Sequence, residues 1–330
     1  MLREWLARLI LVILLLATGL SLAAAWKARR AANVLYARMP ENGGWTPSDL
    51  RATVGEPLTI RMTSDDVTHS FAVGQMDWPA VDIYPGEMSA VTLTFDRPGK
   101  YTFYCTRWCG VNHWRMRGTI QVSATEPEAP EKAEPPLYVQ LGLDIDAEHS
   151  ARFLPDRTPS AGRGAIMGAS LPQKYASREY YLSHSPSEAW QDLRDESNLS
   201  MRSDAELWDL VAFAWSLQTT SDAIAAGEEL YRPNCAACHG KTGGGNGVFA
   251  KELGDEAHSL DGHAIAAPAI FSDPENMLGA SPALLHGKIV RGGMGTGMPY
   301  WGPIFTDEQV WALVSYLWTF QFNFDLEAKP

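Results

Sequence analysis

Apolar and polar residues follow four successive regimes along this chain. The first is an apolar run from Leu6 to Trp26 whose one charge is Arg8, with L-I-L-V-I-L-L-L at its centre. Counted from Leu9 it spans about eighteen residues, the lower limit for a helix that crosses a bilayer. A-A-A at 23 to 25 also suits a signal-peptide cleavage site, so a retained anchor and a cleaved leader are both open. Short alternating runs come next: P-L-T-I-R-M-T-S, S-A-V-T-L-T-F, K-Y-T-F-Y-C and G-T-I-Q-V, with turn formers such as D-R-P-G-K between them. A period of two sends one face of each run into a core, which predicts a small antiparallel β-sandwich. The third regime is T-E-P-E-A-P-E-K-A-E-P-P, a Pro/Glu spacer that stays extended and solvated.

Helical periodicity takes over in the last regime, and there the chain repeats itself. D-A-E-L-W-D-L-V-A-F-A-W-S-L at 204–217 aligns with D-E-Q-V-W-A-L-V-S-Y-L-W-T-F at 307–320. The identities are Asp204/Asp307, Trp208/Trp311, Leu210/Leu313, Val211/Val314 and Trp215/Trp318. Both copies carry apolar residues at i, i+3, i+4 and i+7 after an Asp that can cap the helix. Either two amphipathic helices have converged, or the first copy is left from a duplicated domain. Length allows two to three domains. The divisions expected are 1–39 (membrane anchor and juxtamembrane segment), 40–124 (β domain), 125–218 (linker and helical segment) and 219–330 (second helical domain).

Candidate chemistry concentrates in two places. Between Cys105 and Met116 the chain reads C-T-R-W-C-G-V-N-H-W-R-M, with His69 upstream in V-T-H-S-F. Thiolates, thioethers and imidazoles select copper, and a mononuclear blue-copper site takes two His, one Cys and a weak axial Met. This chain supplies that set and one Cys more. Cys105 and Cys109, four residues apart on one loop, can bridge two coppers while His69 and His113 cap one each. Met116 would then bind one copper weakly, and the backbone carbonyl of Arg107 could reach the other. The alternative is a Cys105–Cys109 disulfide, suited to an exported protein, but it leaves His113 and Met116 without a purpose.

The second place is Cys235-Ala236-Ala237-Cys238-His239, the C-x-x-C-H of covalent haem c attachment. Two thiols add across the haem vinyl groups, and the adjacent His lies under the iron. A thioredoxin-like pair would need a surrounding βαβ pattern, which the sequence lacks. Candidates for the sixth ligand are Met294 and Met298 in G-G-M-G-T-G-M-P-Y-W-G, then His258, His263 and His286. All four cysteines are used by these two sites, and their chemistry belongs outside the cytoplasm.

Residues 67–122, with D-V-T-H-S-F, Y-P-G-E and C-G-V-N-H-W-R-M-R-G-T-I, resemble the CuA cupredoxin domain of subunit II of haem-copper oxidases, in the branch with a single membrane helix. The resemblance implies the binuclear CuA ligand set His69, Cys105, the Arg107 carbonyl, Cys109, His113 and Met116. Many members carry Glu where this chain has Arg107, but ligation there needs only the main-chain oxygen. The C-terminal region resembles a small class I cytochrome c domain, all-α. Its Met-Pro motif points to Met298 over Met294 as axial partner of His239, and it implies that the Pro268 carbonyl accepts from the ring N–H of His239. Against that fold, residues 204–217 read as part of a second cytochrome c domain that has lost its haem.

The formal charge of −12 lies mostly in the C-terminal half, with thirteen Asp/Glu against six Lys/Arg in 219–330. An acidic haem domain repels nucleic acid and favours a basic or dipolar protein donor. Arg3 and Arg8 precede the apolar run, whereas Lys27, Arg29, Arg30 and Arg38 follow it, opposite to the positive-inside bias. Large exported domains translocate largely regardless of flanking charge. The expected protein is a single-pass, extracytoplasmic electron-entry subunit of a cytochrome c oxidase, without catalytic residues of its own. The resemblance implies a catalytic subunit I in the membrane as partner. The donor would be cytochrome c, a cupredoxin or a quinol-oxidising complex. The alternatives are the CuA-bearing small subunit of a nitric oxide reductase and a free-standing electron-transfer protein.

Overall fold

The computed structural model describes residues 34–110, 113–124, 134–250, 267–293 and 297–324, together with Trp5 and Thr18. The chain divides into two compact units, Met1–Ala129 and Pro130–Pro330. Among the described residues no helix is long and apolar enough to cross a membrane. The apolar run expected to be an anchor lies, Thr18 aside, outside the described residues.

Among its described residues the first unit holds eight strands: β1 Val34–Ala37, β2 Asp49–Thr53, β3 Leu58–Ser64, β4 His69–Val73, β5 Val81–Ile83, β6 Ser89–Leu93, β7 Gly99–Tyr104 and β8 Arg117–Ser123. They form two sheets, in the orders β1-β3-β6 and β2-β8-β7-β4-β5. Alternation works as expected in β3, where Ile60 and Met62 are fully buried and the residues between them face outward. The sheets are mixed, however, and not purely antiparallel. β1 runs parallel to β3 and β2 parallel to β8, each closing one edge of its sheet. Strands of four and five residues carry too little periodicity to declare themselves, and an edge strand needs only one partner.

Trp45, Phe71 and Phe103 fill the core as an aromatic cluster, with ring centroids 5.4 to 6.1 Å apart. Gly118 faces Phe103 across the β7–β8 ladder. A Cβ at Gly118 would come within 2.0 Å of the Phe103 ring, so the glycine lets that ring lie across the ladder. The connection between these two locked strands is the segment 105–116 that carries the candidate ligands.

The second unit is helical. Among the described residues its α-helices are, in order, α1 Leu137–Gln140, α2 Ala161–Ile166, α3 Arg178–Ser183, α4 Pro186–Asp195, α5 Asp204–Ser216, α6 Ser221–Asn234, α7 Ala236–His239, α8 Pro274–Met277, α9 Pro282–Arg291 and α10 Asp307–Trp318. The caps of α5 and α10 sit one residue ahead of the expected aspartates. Ser203 and Thr306 are the N-caps, closed by Glu206 and Gln309 in reciprocal capping boxes. A box needs an acceptor at N-cap and a Glu or Gln at N3, which leaves Asp204 and Asp307 in the first turn to favour the helix dipole.

The repeat extends beyond sequence into packing. α2 crosses α5 where Gly164 meets the Asp209 carbonyl and Phe213, and a Cβ there would lie 2.0 Å from Asp209 O and 2.7 Å from Phe213 Cβ. α6 crosses α10 at Gly227 in the same way, with 2.1 Å to Ala312 O and 2.8 Å to Tyr316 Cβ. Asp209 aligns with Ala312 and Phe213 with Tyr316 in the repeat. Ser-Pro helix starts precede each copy: Trp190 of α4 stacks on Trp208 at 6.0 Å, and His286 of α9 stacks on Trp311 at 4.6 Å. The equivalent residues Trp215 and Trp318 then meet edge to face at 6.3 Å, both buried.

Candidate metal and haem sites

β4 and the 105–116 connection bring the predicted copper ligands together. His69 Nδ1, Cys105 Sγ and Cys109 Sγ all lie within 4.8 Å of one another. Cys109 Sγ is 3.5 Å from His113 Nδ1 and 3.3 Å from Met116 Sδ. Cys105 Sγ lies 3.2 Å from the carbonyl oxygen of Arg107 and 4.0 Å from His69 Nδ1. The four cysteines of the chain are free thiols. Two sulfurs, two imidazole nitrogens, a thioether and a carbonyl oxygen facing one another form a donor set that fits copper.

The neighbouring polar groups hold this frame. Ser70 Oγ accepts from the N–H of Thr106 at 2.8 Å and of Arg107 at 3.1 Å, and the Ser70 N–H donates to Cys105 Sγ at 3.4 Å. The Arg107 side chain, far from its own carbonyl, grips Asp82 of β5 with two bonds of 2.6 Å. His69 is fully buried, and its Nε2 bonds Asp66 Oδ1 at 2.7 Å. Burial works to raise the Asp66 carboxyl, but bonds from His69, Asn42 and the N–H groups of Met39 and Val67 hold it well below the usual range. Burial likewise works to lower His69, and its bonds to Cys105 and Asp66 outweigh it, so its pKa rises. The Cys105 thiol is pulled down, chiefly by the hydrogen bond from Cys109 and, against burial, by His113 and His69. Cys109, sharing that bond and buried, is pushed up. A bound cation favours the thiolate form of both sulfurs. Sequence reasoning missed Asp66, Ser70 and Asp82. An Asp three residues before a ligand His is a signal that could have revealed the first.

In the second unit, Cys235 at the junction of α6 and α7 and Cys238 in α7 line a cavity of about 300 Å³. His239, Pro268, Ala269, Phe271, Met298, Trp301 and Leu313 line it too, so thiols, imidazole and thioether open onto one largely apolar space. Burial pushes the Cys235 thiol up to about 12 and raises Cys238, which keeps both as neutral thiols in the state that adds to a vinyl group. Burial lowers the His239 pKa, leaving a neutral imidazole fit to bind iron. Its Nδ1 bonds a backbone carbonyl at 3.0 Å and the ring stacks on Phe271 at 4.4 Å, which leaves Nε2 for the metal. That carbonyl belongs to Ala269 and not to Pro268.

Met298 is held by its own loop. Gly292, with φ +71°, runs so close to Pro299 that a Cβ would lie 2.6 Å from its carbonyl carbon, and Gly293 N–H donates to Met298 O at 3.2 Å. Met294, His258 and His263 lie outside the described residues. His286 is absent from the cavity lining, being engaged with Asp307 at 2.9 Å and with Trp311.

Comparison with known proteins follows the same division. Residues 48–123 match the family described as cytochrome c oxidase subunit II, periplasmic domain, and residues 222–317 match cytochrome c oxidase, cbb3-type, subunit III. Cytochrome c oxidase subunit 2 of Thermus thermophilus is 39% identical over 79 residues, which is 24% of this chain and 58% of the relative. The chain therefore spans less than two thirds of that relative's length. A nitrous-oxide reductase of Ralstonia nicotianae is 34% identical over 74 residues, 21% of this chain and 11% of the relative. A solved haem-copper terminal oxidase dimer shares 29% identity over 27% of this chain and 63% of that one, with a TM-score of 0.25. One match thus falls on the strands around the candidate copper ligands and the other around C-x-x-C-H, so the chain joins a domain similar to the periplasmic domain of cytochrome c oxidase subunit II to a domain similar to cbb3-type subunit III.

Proposed function

We propose that this chain is the electron-entry subunit of a membrane haem-copper terminal oxidase, an oxidoreductase complex in which a separate subunit I reduces oxygen. The observation that carries this reading is the convergence of His69, Cys105, Cys109, His113, Met116 and the Arg107 carbonyl on one point of a domain matched to subunit II. When bound, a copper pair and a haem c supply one-electron carriers, the currency of a soluble donor and of a membrane oxidase alike. The rest is done by the protein. Cys105, Cys109, His69 and His113 would hold the copper, and Asp66, bonded to His69 Nε2, would orient that imidazole. Cys235 and Cys238 would hold a haem c through their thiols, and His239 and Met298 would be its iron ligands, a His/Met pairing that raises the potential.

The bulk of the chain would work outside the cytoplasm, tethered by the apolar run near its start. The packing twins Gly164/Gly227 and Trp208/Trp311 support a second proposal, that residues 160–217 descend from a duplicated cytochrome c domain without the haem motif.

The copper domain is similar to that of proteins with other terminal acceptors, so the decisive experiment is done on the native complex. It should be purified through this chain and its consumption of oxygen and of nitric oxide measured with a reduced donor. Oxygen consumption supports the proposal. Nitric oxide consumption alone, or isolation of this chain without a membrane partner, overturns it.

A further inference from the structure

The segment between the Pro/Glu spacer and α2 belongs to neither matched family, yet it lies against the haem cavity. α1 and the turn after it follow α9 closely because Gly287 has no side chain: a Cβ there would meet Tyr138 Cβ at 2.9 Å and Ile145 Cγ2 at 3.0 Å. Ile145 is 2% exposed. Further on, the Ala151 N–H donates to Glu275 O at 2.7 Å, and Gly279 passes so near His149 O that any Cβ would clash. Residues 137–151 thus form a strap pinned along α8 and α9.

The strap carries Asp146 to the rim of the cavity. There its carboxylate accepts from Arg291 Nη1 at 2.6 Å and also from Nη2. Asp146, Lys288 and Arg291 line the cavity together, and apart from His239 they are the only ionisable side chains besides thiols and Tyr231 among the described residues that do. Lys288 and Arg291 sit in the last turn of α9. A haem carries two carboxylates on one edge and is apolar elsewhere, so the charged end of an otherwise apolar cavity is where that edge is matched.

We propose that Lys288 and Arg291 receive the haem propionates and that Asp146, brought in by the strap, is a positioning residue that holds the Arg291 fork and lowers the haem potential. An anionic Asp146 offsets part of the Arg291 charge, and the oxidised haem, one positive charge richer than the reduced form, gains from it. The strap is therefore a tuning element for electron entry. This inference rests on the assignment of residues 235–239 as a haem site, and the two fail differently. If that assignment is wrong, the wild-type chain carries no covalent haem.

The test is a redox titration of the haem absorbance in the full-length, haem-loaded chain at low salt, comparing wild type with Asp146→Asn, Asp146→Glu and Arg291→Gln. The Asp146 side chain is 64% exposed, so its substitution leaves the core intact. Asp146→Asn should raise the midpoint, changing the oxidised-to-reduced ratio at fixed applied potential by roughly three-fold, less at high salt. Asp146→Glu should restore the wild-type value. In Arg291→Gln, a further Asp146→Asn change should move the midpoint less than it does in wild type. A loaded Asp146→Asn chain with an unchanged midpoint overturns the proposal, as does a failure of that variant to attach haem, which would assign Asp146 a folding role instead.

Discussion

His69 directs one ring nitrogen to Asp66, with Nε2 2.7 Å from the carboxylate, and keeps the other on the side of Cys105, 4.0 Å away. The carboxylate fixes the tautomer that leaves Nδ1 free for metal, and it raises the basicity of the ring. Asp66→Asn should weaken copper binding by about 10- to 100-fold with little change in fold. Competition with a chelator of known affinity measures it. Retention of wild-type affinity would show that the carboxylate serves only its bonds to Met39 and Val67.

Two sulfurs in one loop should hold two coppers. The oxidised protein is expected to share one unpaired electron between them, giving a seven-line hyperfine pattern. Cys109→Ser should reduce this to one copper or none, counted by metal analysis and read by paramagnetic resonance. A four-line spectrum from the unaltered chain would mean a mononuclear centre.

Met298 and Met294 separate cleanly by substitution. Met298→Ala should lower the haem potential, because loss of the axial thioether removes the ligand that raises it. Met294→Ala should leave the potential near its starting value, and neither should alter the copper spectrum. The reverse pattern would move the axial assignment to Met294.

Gly227 tests the crossing of α6 and α10. The obstacle to a Cβ is the backbone oxygen of Ala312 at 2.1 Å, which cannot rotate away. Gly227→Ala should cost about 2 kcal/mol or more. For a unit of this size that lowers the melting temperature by about 4 to 8 °C, which calorimetry would register. Gly164→Ala should do the same if the two crossings are equivalent, and a tolerated Gly164→Ala would break the equivalence.

His286 gives the helical unit a pH dependence. It is buried, and burial lowers its pKa from the ordinary 6.5 despite the opposing pull of Asp307. The unfolded chain then binds the proton more readily than the folded one. Stability is therefore full above about pH 6.5 and falls as the pH drops below it, by at most about 1.4 kcal/mol per unit. Denaturant unfolding at pH 7.5 and 5.5 measures the loss, and His286→Phe should reduce it. An unchanged slope in that variant would assign the effect to other groups.

What the sequence made legible were the sites whose chemistry dictates spacing. C-x-x-C-H and the Cys-Cys-His-Met loop each lie on one short segment, and the structure brings the side chains of each together. The longer strands were legible because half their residues are buried. What stayed hidden depends on contacts between residues far apart in the chain. Arg291 and Asp146 are 145 positions apart, and Asp82 lies 25 before the Arg107 it binds. Nothing local marks such pairs. The exchange of Pro268 for Ala269 has another cause: a resemblance supplies a motif's position, but the direction of a carbonyl is set by backbone torsions that sequence does not display.

Ser70 is not one of the candidate ligands, yet its hydroxyl oxygen ties the start of the ligand loop to a buried strand by two N–H bonds. A cage braced this way has its shape imposed from outside. With copper bound, ligands held this way would rearrange little when an electron arrives or leaves, so the nuclear reorganisation that slows electron exchange would stay small and a serine with no redox chemistry would help to set the speed.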